Sequence, residues 1–383
     1  MIYGTYLPHL GMHPSLKTKK KGIYMKKYVP KFALLSFIIL ALSLLAYYLA
    51  IGSSQIADLL NGSVSVAVRF ILSSLSYPFP FSVFEALIIL LPFILFLTVF
   101  LIVRRADTTE KRVRSVLSLL GAVSLIFTSY IYTLGVGYRT TPLAQRIGIE
   151  DKREIDVDDL CHVTGEVVDE INSLAQSLTF SDGETHMEYD FNEMSRRLIS
   201  AYDGMNKEYD LLINYPSRAK PVYFSTVMSD LGISGIYSFF TGEANVNVEY
   251  PDYTIPYTAA HELAHQRGIS RENEANFVAF LVCIHSEDEY IRYSGYLSLY
   301  EYLSSALYRA DPDLYYTIRG ELSDIAVADM RASNAVYNEH KDSILGKIND
   351  RLNDAYLKAN GTEGVVSYSY VVRLAVSYYQ NKK

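Results

Sequence analysis

Three long apolar stretches dominate the first third of the chain, and they predict membrane-spanning helices. Residues 32–51 contain no charged residue, residues 81–103 carry a single glutamate and a proline, and residues 115–136 are again free of charge. About 20 apolar residues in a helix suffice to cross a bilayer. We therefore predict three transmembrane helices, which together form a membrane domain over residues 32–137.

Beyond residue 137 the hydrophobic pattern changes to that of amphipathic helices. Residues 155–179 and 186–210 carry apolar positions at helical spacing, and so do residues 287–310 and about 312–357. The chain from residue 138 to residue 383 is long enough for one sizeable domain. We expect that domain to be mostly helical.

The spacing His261-Glu262-x-x-His265 points to a metal site on one of these helices. Two histidines four residues apart lie on the same face of a helix, so both imidazoles can reach one ion. Glu262 falls beside them, where its carboxylate can act as the general base on a metal-bound water. Pro256 suits a first helical turn and Gly268 suits a helix end, so the chain is expected to turn back towards the metal.

The third ligand of this metal site is expected just after the motif. A catalytic zinc ion takes three protein ligands and keeps its fourth position for water. A second helix is predicted over Arg271–Ile284 with Ser270 as its N-cap. Its first turn offers Glu272 and Glu274, which point to nearly opposite sides. From spacing alone either could be the ligand, and either could instead serve only the helix dipole.

A resemblance bears on that choice. Glu272-x-x-Ala275-Asn276 is similar to the Glu-x-x-Ala-Asp/Asn signature that follows HExxH in several gluzincin metallopeptidases. The resemblance implies that one Zn2+ ion is bound by His261, His265 and Glu272, and that Asn276 orients a histidine from one turn further on. The spacing departs from the thermolysin-like pattern, because Glu272 follows His265 more closely. The position of the third metzincin histidine holds an arginine.

Two short segments predict a small sheet ahead of the motif. Lys220–Ser225 is rich in strand-forming residues, and Thr241–Val248 alternates apolar and polar positions. In zinc peptidases an exposed strand edge before the HExxH helix can hold an extended peptide by main-chain hydrogen bonds. Asn245 and Asn247 are therefore candidates for a substrate cleft, although they could equally be ordinary solvent-facing residues.

Further segments resemble a bacterial membrane family catalogued as domain of unknown function 3810. They are Pro80–Val83, His261–Phe277, Asn353–Gly361 and Gly364–Tyr370. The resemblance covers most of the chain from the first apolar stretch onward. It implies a membrane-anchored HExxH protein and leaves the substrate open.

The distribution of charge predicts an orientation in the membrane. The segment 1–31 is basic, and five further Lys and Arg residues lie between the second and third apolar stretches. Lys and Arg mark the cytoplasmic side, so the N-terminus is expected inside. Three crossings then place residues 138–383 and the metal site on the extracytoplasmic face, together with the stretch 52–80.

The same distribution argues against nucleic acid as a partner. Through Ser115 the chain has 13 Lys and Arg against 4 Asp and Glu, whereas the rest has 22 against 38. An acidic external domain lacks the basic surface that nucleic acid requires. The expected partners are the lipid bilayer and a protein or peptide substrate, and the oligomeric state stays open.

The remaining candidates carry less weight. Cys161 and Cys283 could form a disulfide outside the cell, but two separate thiols are at least as consistent with their apolar surroundings. The other histidines are expected to be surface or packing residues; they include His162, His186, His285 and His340. Met25, followed by two lysines, resembles a translation start.

Together these observations predict a mainly α protein with a zincin-like α+β extracytoplasmic domain. The predicted function is that of a membrane-anchored zinc metallopeptidase. An intramembrane peptidase fits less well, because the motif lies about 120 residues beyond the last apolar stretch in a polar context. The alternative from another class is a non-catalytic sensor or scaffold with a structural or degenerate metal site.

Overall fold

The computed structural model describes residues 28–150, 154–360 and 368–381. The described part of the chain is mostly helical, with 72% of those residues in helices, and it contains two small sheets. The predicted basic segment 1–31, including Met25, lies almost wholly outside the described residues.

Four helical stretches near the N-terminus are long and apolar enough to cross a membrane. The predicted spans at 32–51 and 115–136 fall within two of them, and the span at 81–103 matches a third that begins at Val83. The fourth occupies most of the stretch 52–80, where two helices are separated by Gly62 and Ser63. These elements are α1 (Lys31–Gly52), α2 (Ser54–Asn61), α3 (Val64–Ser76), α4 (Val83–Arg105) and α5 (Thr109–Tyr130).

The helix α5 does not simply stop at Tyr130. It continues as one π-helical turn, Ile131–Gly135, and then as a 3-10 turn, Gly137–Arg139. Single π turns occur often at functional sites. This change of winding sets the direction in which the chain leaves the last apolar helix.

The stretches predicted to be helical beyond residue 137 are helical in the structure. The stretch 312–357 contains three helices, because Ser323 and Ser343 each accept a backbone amide and so begin a new helix. The helices at Leu143–Arg146, Ser225–Asp230 and Tyr368–Asn381 were not predicted. The helices are α6 (Leu143–Arg146), α7 (Val157–Ala175), α8 (Phe191–Tyr209), α9 (Ser225–Asp230), α10 (Thr254–Gln266), α11 (Glu272–Ile284), α12 (Glu289–Ala310), α13 (Pro312–Arg319), α14 (Asp324–His340), α15 (Ile344–Ala359) and α16 (Tyr368–Asn381).

Five short strands form two sheets. The first is the hairpin of β1 (Phe180–Ser181) and β2 (Glu184–Thr185). The second has the order β3-β5-β4, in which β3 (Ala219–Pro221) runs parallel to β5 (Glu243–Val246) and β4 (Gly235–Ser238) runs antiparallel to it. The strand β4, which the sequence pattern did not indicate, is an edge strand.

The prediction that Asn245 and Asn247 face a substrate cleft is wrong. Asn245 lies in the central strand β5 and Asn247 directly after it, and the two side chains are 0% and 2% exposed. Asn245 accepts a hydrogen bond from Ser82 Oγ at 2.7 Å, and Asn247 donates one to Ser229 Oγ at 2.9 Å. Because protein covers both faces of β5, the alternating pattern there does not mark a solvent-facing side.

The chain divides into two compact units. One comprises Met1–Leu42 and Leu90–Thr128, and the other comprises Ser43–Ile89 and Ser129–Lys383. The predicted boundary at residue 138 separates a membrane domain from an extracytoplasmic domain, and it stays a prediction. By its internal contacts, the unit that contains the HExxH segment also includes residues 43–89.

The motif helices lie in the centre of the second unit. The helix α10 packs against α11, α12 and the sheet strands β4 and β5, and α12 packs in turn against α7. The apolar residues of α10 are buried, and so are those of α11 apart from Ile284 at its end. A packed helix pair of this kind gives the polar side chains of the motif fixed positions.

Candidate metal centre

The helix α10 ends where the predicted glycine requires it to end. Gly268 has a φ of +99°, a conformation that favours glycine over other residues. The amide of Ile269 donates to the Ala264 carbonyl at 3.1 Å, which closes the helix terminus. The chain therefore reverses within a few residues of His265.

The next helix begins one residue later than predicted, and its cap differs. Arg271 is the N-cap of α11, without a side-chain capping bond, whereas Ser270 was the predicted cap. The Ser270 hydroxyl donates instead to the Leu134 carbonyl at 2.7 Å, in the π turn that follows α5. Glu272 is consequently the first residue of α11.

The tight reversal brings three side chains of the motif together. His261 Nε2 and His265 Nε2 are 3.0 Å apart, and Glu272 Oε2 lies 3.2 Å from the first and 3.5 Å from the second. Among the described residues this is the group of His, Cys, Asp and Glu that could hold a metal ion. The structure thus brings together the three residues that the sequence analysis assigned as ligands.

The orientation of His265 is fixed by the backbone. Its Nδ1 lies 2.7 Å from the Ile269 carbonyl, so a proton on Nδ1 leaves the Nε2 lone pair directed at the cluster. Burial opposes protonation of this ring, but the charge of Glu272 outweighs that effect and raises the pKa of His265 to about 9. The negative potential at this point is the one expected of a cation site.

Glu262 lies between the cluster and the edge strand. It is 4% exposed. Burial raises the pKa of its carboxyl group, and Glu272 adds to the effect, although His261, His265 and a backbone hydrogen bond from Tyr237 oppose it. A buried carboxyl group next to a polar cavity is well placed to exchange a proton with a water molecule.

The two candidate third ligands have different surroundings. Glu272 is about one-third exposed and faces the two histidines, whose charges outweigh the effect of burial and lower its pKa. The Glu274 carboxylate is buried elsewhere, where it accepts hydrogen bonds from the Leu143 amide at 2.9 Å and from Arg271 at 2.8 Å. Glu274 therefore ties α11 to α6 and does not reach the cluster.

The structure also shows the surroundings of Asn276, of the remaining histidines and of the two cysteines. Asn276 lines the cavity at the cluster, but it is the Ile269 carbonyl that orients His265. The four remaining histidines of the described chain each lie beside a carboxylate, as His162 lies beside Glu166. Cys161 and Cys283 are free thiols.

The cluster opens onto a cavity of about 450 Å³. One wall is the edge strand β4 with the residues before it, and another is the end of α5 with its π turn. A third wall is α15, which contributes Asn349, Asn353 and Tyr356. Sequence reasoning missed all three walls, because these residues are distant from the motif in sequence and carry no spacing signal.

The loop between the ligands is supported by the helices α2 and α3. Asn61 Nδ2 donates to the Gly268 carbonyl at 3.1 Å, and Asn61 Oδ1 accepts from the guanidinium of Arg69 at 2.9 Å. Arg69 is 1% exposed and packs so closely on the loop that a Cβ at Gly268 would lie 2.6 Å from its Nη2. The segment that joins His265 to Glu272 is therefore held by residues about 200 positions away in sequence.

The fold and the site define a mostly helical chain with apolar helices near its N-terminus and a partly buried His-His-Glu cluster. Its sequence matches the family model described as protein of unknown function DUF3810 over residues 63–376. The chain belongs to this family. No curated protein and no solved structure matches it significantly.

Proposed function

We propose that this protein is a membrane-anchored zinc metallopeptidase that hydrolyses peptide bonds. The observation that carries the proposal is the mutual distance of the three donor atoms, 3.0, 3.2 and 3.5 Å. Zinc bonds of about 2.0–2.1 Å in tetrahedral geometry separate the donor atoms by about 3.4 Å. Two imidazoles and one carboxylate are also a donor set used by catalytic zinc sites.

The number of donors favours a catalytic site over a structural one. Structural zinc sites are usually closed by four protein ligands, whereas catalytic sites keep one position open. The group found among the described residues has three members, and it borders a cavity. A scaffold with a closed metal site fits this arrangement less well.

Glu262 has the position of the general base. Zinc, when bound by the three donors, supplies Lewis acidity that favours attack of water on a carbonyl group. Glu262 accepts the proton of the attacking water and later returns it to the leaving amine. Its burial and its contact with the backbone of β4 keep the carboxyl group at one place beside the cavity.

The strand β4 supports a polypeptide as the substrate. It is the edge strand of its sheet, and Gly235, Ile236 and Tyr237 line the cavity. Extended peptides bind to such edges by main-chain hydrogen bonds, which are independent of side-chain identity. A peptide bound along β4 enters the cavity that contains Glu262.

We also propose that the site is extracytoplasmic, with three membrane crossings rather than four. The helices α2 and α3 are apolar enough to count as a fourth span, but Arg69 is buried among protein groups. Asp58 accepts two hydrogen bonds from Thr141, at 2.9 and 2.6 Å. Charged residues engaged by protein in this way fit a helix pair packed on the catalytic unit.

Labelling of single cysteines tests this topology. In a Cys161→Ser background, Tyr316→Cys on α13 is expected to react with a membrane-impermeant maleimide in right-side-out vesicles, since Tyr316 is 62% exposed. The matched position Asp107→Cys, between α4 and α5, is expected to react only after permeabilisation. The reverse pattern would place the site in the cytoplasm.

The zinc assignment is tested by elemental analysis of the purified full-length protein. We expect one zinc per chain in the wild type and in Glu262→Gln, and loss of zinc in His261→Ala and Glu272→Ala. Glu274→Ala is the matched control, because it removes a neighbouring carboxylate that does not reach the cluster. A well-folded wild type without stoichiometric metal would disprove the proposal.

Activity is measured on the same variants with a library of quenched fluorescent peptides. We expect the wild type to cleave and Glu262→Gln to lose turnover by at least about 10³-fold while retaining zinc. Full activity in Glu262→Gln would rule out its role as the general base.

A further inference from the structure

The helix α15 forms the outer wall of the cavity and bridges two parts of the second unit. Near its start, Asn349 Nδ2 donates to the Leu231 carbonyl at 3.0 Å, just after α9. At its other end, Tyr130 donates to Asn360 Oδ1 at 2.9 Å, where α5 ends. The inner face of α15 lines the cavity, so its outer face lies directly above the proposed catalytic site.

That outer face is apolar and exposed. Ile344, Ile348 and Leu352 follow each other at intervals of one turn and are 75%, 51% and 64% exposed. Lys347 and Arg351 lie beside this row. An exposed apolar row flanked by basic residues is typical of helices that lie in a membrane surface.

A second exposed apolar group lies next to α9, on the side of α4. Tyr223 and Phe224 are 85% and 49% exposed, and Val227 is 47% exposed. The amides of Tyr223 and Phe224 donate to the carboxylate of Glu85 at 3.0 and 2.7 Å. Glu85 is in the first turn of α4, so this group lies at the start of an apolar helix.

The first group lies on α15, whose C-terminal end contacts the end of α5 through Asn360, and the second group contacts the start of α4 through Glu85. We call them the apolar rim; its members are Tyr223, Phe224, Val227, Ile344, Ile348 and Leu352. If α4 and α5 cross the bilayer, the start of α4 and the end of α5 both lie near the bilayer boundary. The attachment of the rim to these two points, together with the basic residues beside the row on α15, argues for lipid as the partner that covers the rim.

We propose that the apolar rim rests in the lipid surface and that the cavity takes its polypeptide from the membrane side. The substrate class is then a segment adjacent to the membrane anchor of another polypeptide. This second part rests on the proposed peptidase function, whereas the lipid contact does not.

The lipid contact can be measured without any activity, because the chain contains no tryptophan. Single tryptophans are introduced as Ile348→Trp and Tyr223→Trp, with Tyr316→Trp on α13 as the matched exposed control. The full-length variants are reconstituted in phosphatidylcholine vesicles with and without bromine on the acyl chains. We expect at least about twofold quenching at positions 348 and 223 and little at 316, since interfacial residues reach about 5–10 Å into the boundary.

Equal quenching at all three positions, or none at 348 and 223, would overturn the lipid contact. Absence of quenching at positions 348 and 223 is also the result expected if another protein segment or a second copy of the chain covered the rim. The thermal unfolding and far-UV circular dichroism of each variant verify that the substitution leaves the fold intact.

The substrate class is tested with one peptide sequence fused to a transmembrane anchor through spacers of about 5, 15 and 30 residues, which span increasing distances from the membrane. All three are equally concentrated at the vesicle surface, so a difference in rate reports geometry. We expect the shortest spacer to be cleaved at least about tenfold faster than the longest. Equal rates would overturn the membrane-side substrate and leave the peptidase intact, whereas no zinc-dependent cleavage at any length would count against the peptidase itself.

Discussion

Gly235 in β4 lies so close to Glu262 that a Cβ at this position would fall 2.6 Å from Oε1 of the carboxylate. The general base proposed here therefore depends on a neighbour that has no side chain. The contact joins the edge strand to the HExxH helix, so that the position of one sets the position of the other.

Substitution of Gly235 by alanine is expected to displace the carboxylate without removing the metal. The added methyl group meets the flexible end of Glu262 rather than backbone, so the fold adjusts at small cost while the base moves. Peptidase activity of Gly235→Ala should fall at least about tenfold, which corresponds to about 1.4 kcal/mol of transition-state stabilisation. Zinc content should stay at the wild-type level.

Gly165→Ala is the control for that substitution, because a Cβ there meets nothing closer than Ile318 Cδ1 at 3.8 Å. Its activity should match the wild type. Unchanged activity in Gly235→Ala would show that the Glu262 position is not critical for turnover.

Glu272 and Glu274 are expected to differ in what their loss changes. Glu274→Gln weakens two buried hydrogen bonds, from the Leu143 amide and from Arg271. Its free energy of unfolding should fall by about 1–3 kcal/mol with zinc retained. Glu272→Gln should lose zinc, and measurement of thermal unfolding together with metal content separates the two outcomes.

Asn61→Leu is expected to weaken zinc binding although Asn61 is no ligand. The substitution leaves the Gly268 carbonyl without its side-chain donor and removes one acceptor of the Arg69 guanidinium, which keeps the carbonyls of Asn61 and Tyr132. Each unsatisfied buried group costs about 1–3 kcal/mol, and the loop between His265 and Glu272 loses its support. Competition with a chromophoric chelator measures the affinity, and an affinity equal to that of the wild type would mean that the loop holds its shape unaided.

The two residues of the ion pair Lys220–Glu243 are expected to differ in how much their single substitution lowers the free energy of unfolding. Both side chains are 1% exposed and 2.5 Å apart, and Glu243 also accepts the amides of Val83 and Phe84. Glu243→Gln leaves a buried ammonium group and should cost about 3–5 kcal/mol. Lys220→Met should cost less, because Glu243 keeps its two amide donors, and the double variant should recover part of the loss. Additive losses would indicate that the pair is not coupled.

The stability of the second unit is expected to depend on pH through His340. A hydrogen bond to Asp230 at 2.8 Å raises the pKa of His340, and the charge of Glu249 adds to it. A raised histidine pKa stabilises the fold below the unfolded value of about 6.5, and this contribution is lost as the pH rises through the folded value. The difference in thermal stability between wild type and His340→Gln should shrink as the pH rises above about 6.5.

The helical parts of the candidate site could be predicted from sequence because their signals are local. The spacing of His261 and His265 and the glycine at 268 determine one helix face and its end, and both features appear in the structure. The choice of Glu272 over Glu274 also agrees with the direction of the side chains at the start of α11. Residues within about two helical turns of one another suffice for such conclusions.

The remaining parts of the site depend on contacts between distant residues. The strand β4 has four residues and begins with a glycine, so it carries no alternation that could reveal it. The contact of Asn61 with Gly268 joins positions 207 residues apart. The wrong prediction for Asn245 and Asn247 has a similar origin. Protein covers both faces of β5, and the residues that cover it are distant in sequence, so the local alternation of apolar and polar positions does not reveal the burial.

Glu243 accepts hydrogen bonds from the start of α4, so that proteolytic cleavage between the apolar helices and the metal centre would separate hydrogen-bond partners. Many membrane-anchored enzymes can in principle be shed as active soluble forms by a single cut between anchor and catalytic part. In this protein a cut between Arg139 and Glu150 would leave the amides of Val83 and Phe84 on the membrane-bound fragment. Glu243, on the released fragment, would lose both of these donors. The released fragment would also lose Arg69, whose guanidinium packs against Gly268. Shedding is therefore expected to end activity rather than spread it beyond the cell surface.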